Sequence, residues 1–173
     1  MRRLLIVLAF LCVSAISAFA QAAPNFSGEW VLDAKRSRVS NFYQNSQSTI
    51  MKVDFTGNEI SWAEGVSDKK DFSGELFTNR RLWKVFKLGG KVVPIKDIYG
   101  RSNSSYVATQ EGNKIIIVST TYQGDTKDLE QTMTFELVES GKSLKFVKQN
   151  FAAEPKAAEI ARQMNEELFF TRK

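Results

Sequence analysis

Histidine is absent from all 173 residues, and the single cysteine, Cys12, lies in an apolar run near the N-terminus. A Ser-His-Asp or Cys-His nucleophile therefore cannot be assembled from this chain. Zinc sites and haem axial ligation draw largely on the same two residue types, so both are improbable. Gly89-Gly90 is not a phosphate loop, because no helix start follows it. Carboxylates, tyrosines and aromatic rings remain. Asp125, Asp128 and Glu130 are close enough in sequence to suggest calcium, but their spacing is not that of an EF-hand loop, and an acidic solvated turn describes them better. Glu64 shares the parity of Trp62 and could face inward. Acid–base catalysis by paired carboxylates needs a second acid converging on the first, and none can be named. The expectation is no enzyme, no cofactor and no metal.

The aromatic content is the better clue. Thirteen Phe, three Trp and four Tyr are many for this length. Phe55, Trp62, Trp83, Tyr106, Phe135 and Phe146 lie on strand-like segments where they could line a pocket for a small hydrophobic molecule. Each also suits a filled core, since small barrels either fill their interior with side chains or leave room for one ligand.

The elements that would position these rings are short and alternating. Gly28 to Leu32 reads as a first strand. Met51, Val53 and Phe55 face one way, with Lys52 and Asp54 the other, as in a half-buried antiparallel strand. Thr56-Gly57-Asn58 is a hairpin signal leading into Ile60 and Trp62. Leu82 to Leu88 turns at Gly89-Gly90 into Val92, Val93 and Ile95; its apolar residues occupy both parities, so its inward face is open. Pro94 lacks an amide donor and marks an edge or a strand end. Ser104–Thr109 and Ile115–Thr120 form another hairpin, as do Leu129–Val138 and Leu144–Asn150. Pro155 to Glu167 reads as a helix with an apolar stripe of Ala157, Ile160, Ala161, Met164 and Leu168, expected to pack on the sheet. Leu168 to Thr171 is a last strand. Val66 to Asn79 is the longest polar stretch and reads as a loop.

The N-terminus reads as an export signal. Arg2 and Arg3 precede the apolar run Leu4 to Val13, and Ala18-Phe19-Ala20 offers a cleavage site after Ala20, with a second after Ala22. The run is shorter than the roughly 20 residues of a membrane span. This divides the chain into a signal peptide, 1–20, and one domain, 21–173. The domain carries no cysteine and, with 22 basic against 19 acidic side chains, only a mild positive charge. Basic residues cluster only in pairs, Lys69-Lys70 and Arg80-Arg81. That composition points away from nucleic acid and from stable membrane insertion.

Phe26-Ser27-Gly28-Glu29-Trp30-Val31-Leu32-Asp33, with Lys35 and Ser37, resembles the opening of exported bacterial lipocalin-like proteins of the calycin type. Gly89-Gly90-Lys91, the Glu111-Gly112-Asn113-Lys114 hairpin and Thr134 to Leu137 leading into Ser140-Gly141-Lys142 fit the same class. The resemblance covers nearly all of residues 21–173. It implies a mainly β, antiparallel up-and-down barrel of about 8–10 strands with one C-terminal helix before the last strand. It also implies structural roles for Trp30, sealing one end of the barrel, for Arg172 packed over it, and for Gly28, which lets the backbone pass close by. The function it implies is an exported, periplasmic or extracellular, non-enzymatic carrier of a small hydrophobic ligand. The alternative is a filled barrel acting as a structural or interaction module through its rim or an exposed strand edge.

Overall fold

A computed structural model describes residues 24–39, 49–66, 77–96 and 99–173. The signal peptide with both cleavage sites, Lys69-Lys70 and most of the Val66–Asn79 loop lie outside the described residues. One ten-stranded antiparallel sheet dominates. Its strands are β1 (Gly28–Leu32), β2 (Thr49–Phe55), β3 (Glu59–Val66), β4 (Lys84–Lys87), β5 (Val93–Ile95), β6 (Ser104–Glu111), β7 (Lys114–Gln123), β8 (Thr126–Val138), β9 (Ser143–Ala152) and β10 (Glu166–Arg172). Helix α1 (Pro155–Gln163) precedes β10. The mainly β, up-and-down architecture is the expected one.

Neighbouring strands follow chain order except that β10 inserts between β1 and β9. This pairs the first strand with the last and leaves β4 and β5 as the edges. The sheet curls until these edges approach. Phe86 of β4 meets Tyr106 of β6 edge-on, with centroids 4.7 Å apart. The Tyr106 hydroxyl accepts the Lys87 amide at 3.0 Å. The Gly89 and Gly90 amides both donate to the Ala108 carbonyl, at 3.1 and 3.0 Å. Both glycines adopt positive φ, 125° and 68°, which side chains disfavour. Two successive glycines therefore let the chain cross the seam and bond to β6 without a β4–β5 ladder. Pro94 sits on edge strand β5, paired only with β6, where its missing amide breaks no second ladder.

Strict alternation sends one set of side chains inward. Trp30, Met51, Ile60, Trp62, Phe135 and Phe170 are wholly buried members of this core. Gly28, Phe55, Ile60, Leu137, Leu144 and Arg172 mark the lower end of the barrel. Glu64, Lys84, Ser104, Asn150 and Glu166 mark the upper end.

Helix α1 is shorter than its sequence period suggests. Glu154 caps it by accepting the Ala157 amide at 2.9 Å, and Pro155 fills the first turn. It ends at Gln163 because Asn165 is taken by β9: its Oδ1 accepts the Asn150 amide at 2.7 Å. Glu166 then enters the sheet opposite Lys148. The apolar stripe is only partly used. Ala161 is buried against β9, whereas Ile160 is 61% and Met164 37% exposed.

Candidate functional site

Five inward rings form a continuous chain across the barrel. Phe146 contacts Phe135 at 4.8 Å between centroids, and Phe135 meets Trp62 edge-on at 4.8 Å. Trp62 stacks on Phe86 at 5.3 Å, and Phe86 meets Tyr106. Strands β9, β8, β3, β4 and β6 each supply one ring. Offset and edge-on contacts of this kind each contribute about 0.5–1.5 kcal/mol beyond area burial.

Polar side chains continue the same inward parity towards the upper end. Lys148 of β9 pairs with Glu166 of β10 at 2.7 Å, the carboxylate being almost entirely buried. Lys84 of β4 pairs with Glu64 of β3 at 3.1 Å. Gln131 Nε2 donates to Asn150 Oδ1 at 2.8 Å, and the Ser104 and Thr121 hydroxyls lie 3.1 Å apart. The interior is thus amphipathic along its axis, with aromatic rings below and hydrogen-bonded polar groups above. One polar atom breaks this pattern. The Trp62 indole Nε1 is buried and has no hydrogen-bond partner among the described residues. Leaving such a donor unpaired costs about 1–3 kcal/mol.

The lower end is closed differently. The Arg172 guanidinium lies 4.2 Å from the Trp30 ring centre and donates to the carbonyls of Ser27 and Asn25 at 2.7 and 2.9 Å. The Trp30 indole N–H is satisfied by the Phe26 carbonyl at 3.1 Å. Gly28, at φ 149°, passes so close that a Cβ there would sit 2.9 Å from Arg172 Nη1.

Of the residues singled out by sequence, Trp62, Tyr106, Phe135 and Phe146 come together in the ring chain. Phe55 is inward but lower, half-buried, and edge-on to Phe26 at 5.3 Å. Trp83 stands apart. Lys84 faces in, so its neighbour Trp83 faces out. There Arg80 lies 4.0 Å over the Trp83 ring and pairs at 2.9 Å with Asp54, on the outward parity of β2. Trp83 is buried on the outer wall and is not part of the interior cluster. Asp125 lies in the exposed β7–β8 turn, and Glu130 pairs with Lys127. Among the described residues, no group of three or more His, Cys, Asp or Glu is arranged to hold a metal.

Sequence reasoning did not single out Phe86, Lys84, Lys148, Asn150 or Glu166 as site residues. A signal for three of them existed: Lys148 and Asn150 extend the inward parity of Phe146, and Glu166 that of Leu168. Polar residues on an inward parity mark the polar end of the barrel interior.

The architecture defines the class as a calycin-like β-barrel. Neither a protein-family profile nor a curated protein matches the sequence. Solved structures do match the fold. One is the crystal structure of a point mutant of the fluorescent protein UnaG: 13% identity, 86% of this chain and 96% of that one covered, TM-score 0.51. Another is apo lipid binding protein 8 of Caenorhabditis elegans: 13% identity, 86% and 95% covered, TM-score 0.50. At this identity the likeness is one of fold.

Proposed function

We propose that this protein is an exported, non-enzymatic carrier of a small hydrophobic molecule, bound inside the barrel. The observation that carries this reading is the graded interior: a chain of five aromatic rings beneath hydrogen-bonded polar residues at one end. An apolar ligand body would lie against the rings and gain about 25 cal/mol per Å² removed from water, while its polar end faces the upper residues. The fold shared with a lipid binding protein agrees with this reading. The pattern of residues 1–20 supports export to the periplasm or beyond, and the exported lipocalin-like resemblance supports the same placement.

The test is to express the full chain, recover the processed protein, and identify co-purifying small molecules by mass spectrometry. A near-stoichiometric apolar compound is expected. A second reading is a filled barrel that acts through its surface. It is favoured by the complete burial of Trp62 and Phe135 and by exposed apolar groups near edge strand β5, Val92 at 70% and Ile95 at 40%. An empty, stable protein that binds no apolar probe would favour that reading.

A further inference from the structure

We infer that the ligand's polar group is a neutral hydrogen-bond acceptor, such as an ester or ketone oxygen, taken by the Trp62 indole N–H. The inference rests on the carrier reading above and narrows its ligand class. The cationic side chains of inward parity on the described strands are Lys84, Lys148 and Arg172. Each is already neutralised or fully bonded. Lys84 holds Glu64 at 3.1 Å and Lys148 holds Glu166 at 2.7 Å. Arg172 is spent on two backbone carbonyls and the Trp30 face at the lower end. An anionic head group would therefore enter a compartment whose lysines are balanced by carboxylates. It would have to break the buried Lys148–Glu166 pair, compete with Glu64 for the more exposed Lys84, or stay unpaired, and none of these is favourable.

The indole N–H of Trp62 is the opposite case. It is neutral, wholly buried, and without an acceptor among the described residues. An oxygen placed on it satisfies an existing orphan and disturbs no other bond. An apolar ligand lacking any acceptor leaves the orphan in place; a carboxylate satisfies it but brings an uncompensated charge. A neutral acceptor avoids both penalties. The surroundings suit such a ligand: Phe86 stacks on the indole and Phe135 meets it in a T-shaped contact, so the bond would form in a poorly solvated place. The seam offers a way in, because Phe86 is only half-buried and β4 is an edge strand of four residues.

The test compares methyl laurate with laurate, by displacement of a bound neutral dye and by the indole ¹⁵N–¹H resonances of the full chain. Methyl laurate is expected to bind at least about tenfold more tightly than laurate at neutral pH, and to shift the Trp62 indole signal. Trp62→Phe is expected to weaken methyl laurate about fivefold to tenfold while leaving laurate nearly unchanged. If Trp62→Phe fails to fold, the indole shift in the unaltered protein still decides. Equal binding of the two probes, or an unmoved Trp62 signal with ester bound, overturns the inference and leaves the carrier reading intact. Binding of neither probe, nor of the dye, overturns both.

Discussion

The backbone of Gly28 and the guanidinium of Arg172 occupy adjoining space, such that a Cβ on Gly28 would lie 2.9 Å from Nη1. The first and last strands are thereby locked together beneath Trp30. β1 and β10 are ladder partners there, with Trp30 opposite Arg172. Arg172→Met should cost about 1–2 kcal/mol, because it removes a cation–π contact and two hydrogen bonds at a largely exposed position. Gly28→Ala should cost about 1–3 kcal/mol from its φ of 149° alone. The clash adds to this only while Arg172 is present. The double variant should thus be more stable than the sum of the two losses predicts, by at least about 0.5 kcal/mol. Urea unfolding of the four proteins measures the coupling, and strict additivity would refute the close approach.

Asn150 is the polar hinge between the sheet and the helix. Its side chain accepts from Gln131 and donates to the Met164 carbonyl at 3.2 Å, and its amide donates to Asn165. It is 4% exposed, so none of these partners is readily replaced by water. Asn150→Ala should destabilise the protein by about 2–4 kcal/mol. Amide exchange in α1 and at the start of β10 should accelerate before that of β7 and β8. Uniform acceleration across the sheet would show that Asn150 does not govern this corner.

The strands were legible in the sequence because alternation is local. Met51-Val53-Phe55 and Met133-Phe135-Leu137 state their inward face within a few residues, and so does Trp62 beside Ile60. The segment around Trp83 is different. Its apolar residues occupy both parities, and what sends Trp83 outward is the tie from Arg80 to Asp54, a residue 26 positions away. The end of α1 was hidden for a similar reason. Its apolar stripe continues through Met164, but Asn165 is captured by Asn150 of β9, and Glu166 by Lys148. The ion pairs inside the barrel follow from registers between strands, which no single segment displays. The orphan indole of Trp62 is the extreme case, since an absent partner leaves no trace in sequence.

Glu139, at the lower end, should titrate below the ordinary carboxylate value of 4.5. The Ser143 hydroxyl, which donates to it at 2.5 Å, is the principal cause, and Arg36 adds to it. A carboxyl depressed on folding stabilises the native state above its unfolded value, and that contribution is lost as pH falls through the lower folded value. Stability should therefore be level around neutrality on this account and decline on the acid side of 4.5. Ser143→Ala should move the Glu139 carboxyl carbon titration upward, towards the ordinary value. An unmoved midpoint in that variant would remove the hydroxyl as the cause.

Glu64→Gln tests the charge balance inside the barrel from the other direction. The carboxylate side chain is 14% exposed and holds Lys84, whose ammonium lies 5.5 Å from the centre of the Trp62 ring. Replacing the acid by its neutral isostere keeps the shape and frees the cation beside the ring chain. Lys84 is 56% exposed, so solvent screens it and the gain is modest. Laurate should bind about threefold more tightly to Glu64→Gln than to the unaltered protein, and methyl laurate should be unaffected. The advantage should shrink at 1 M salt, where the screening length falls to about 3 Å. Lys84→Met should show no such gain, because it removes the cation itself. If laurate binds Glu64→Gln no better, the pairing of Lys84 with Glu64 is not what keeps anionic ligands out of the barrel.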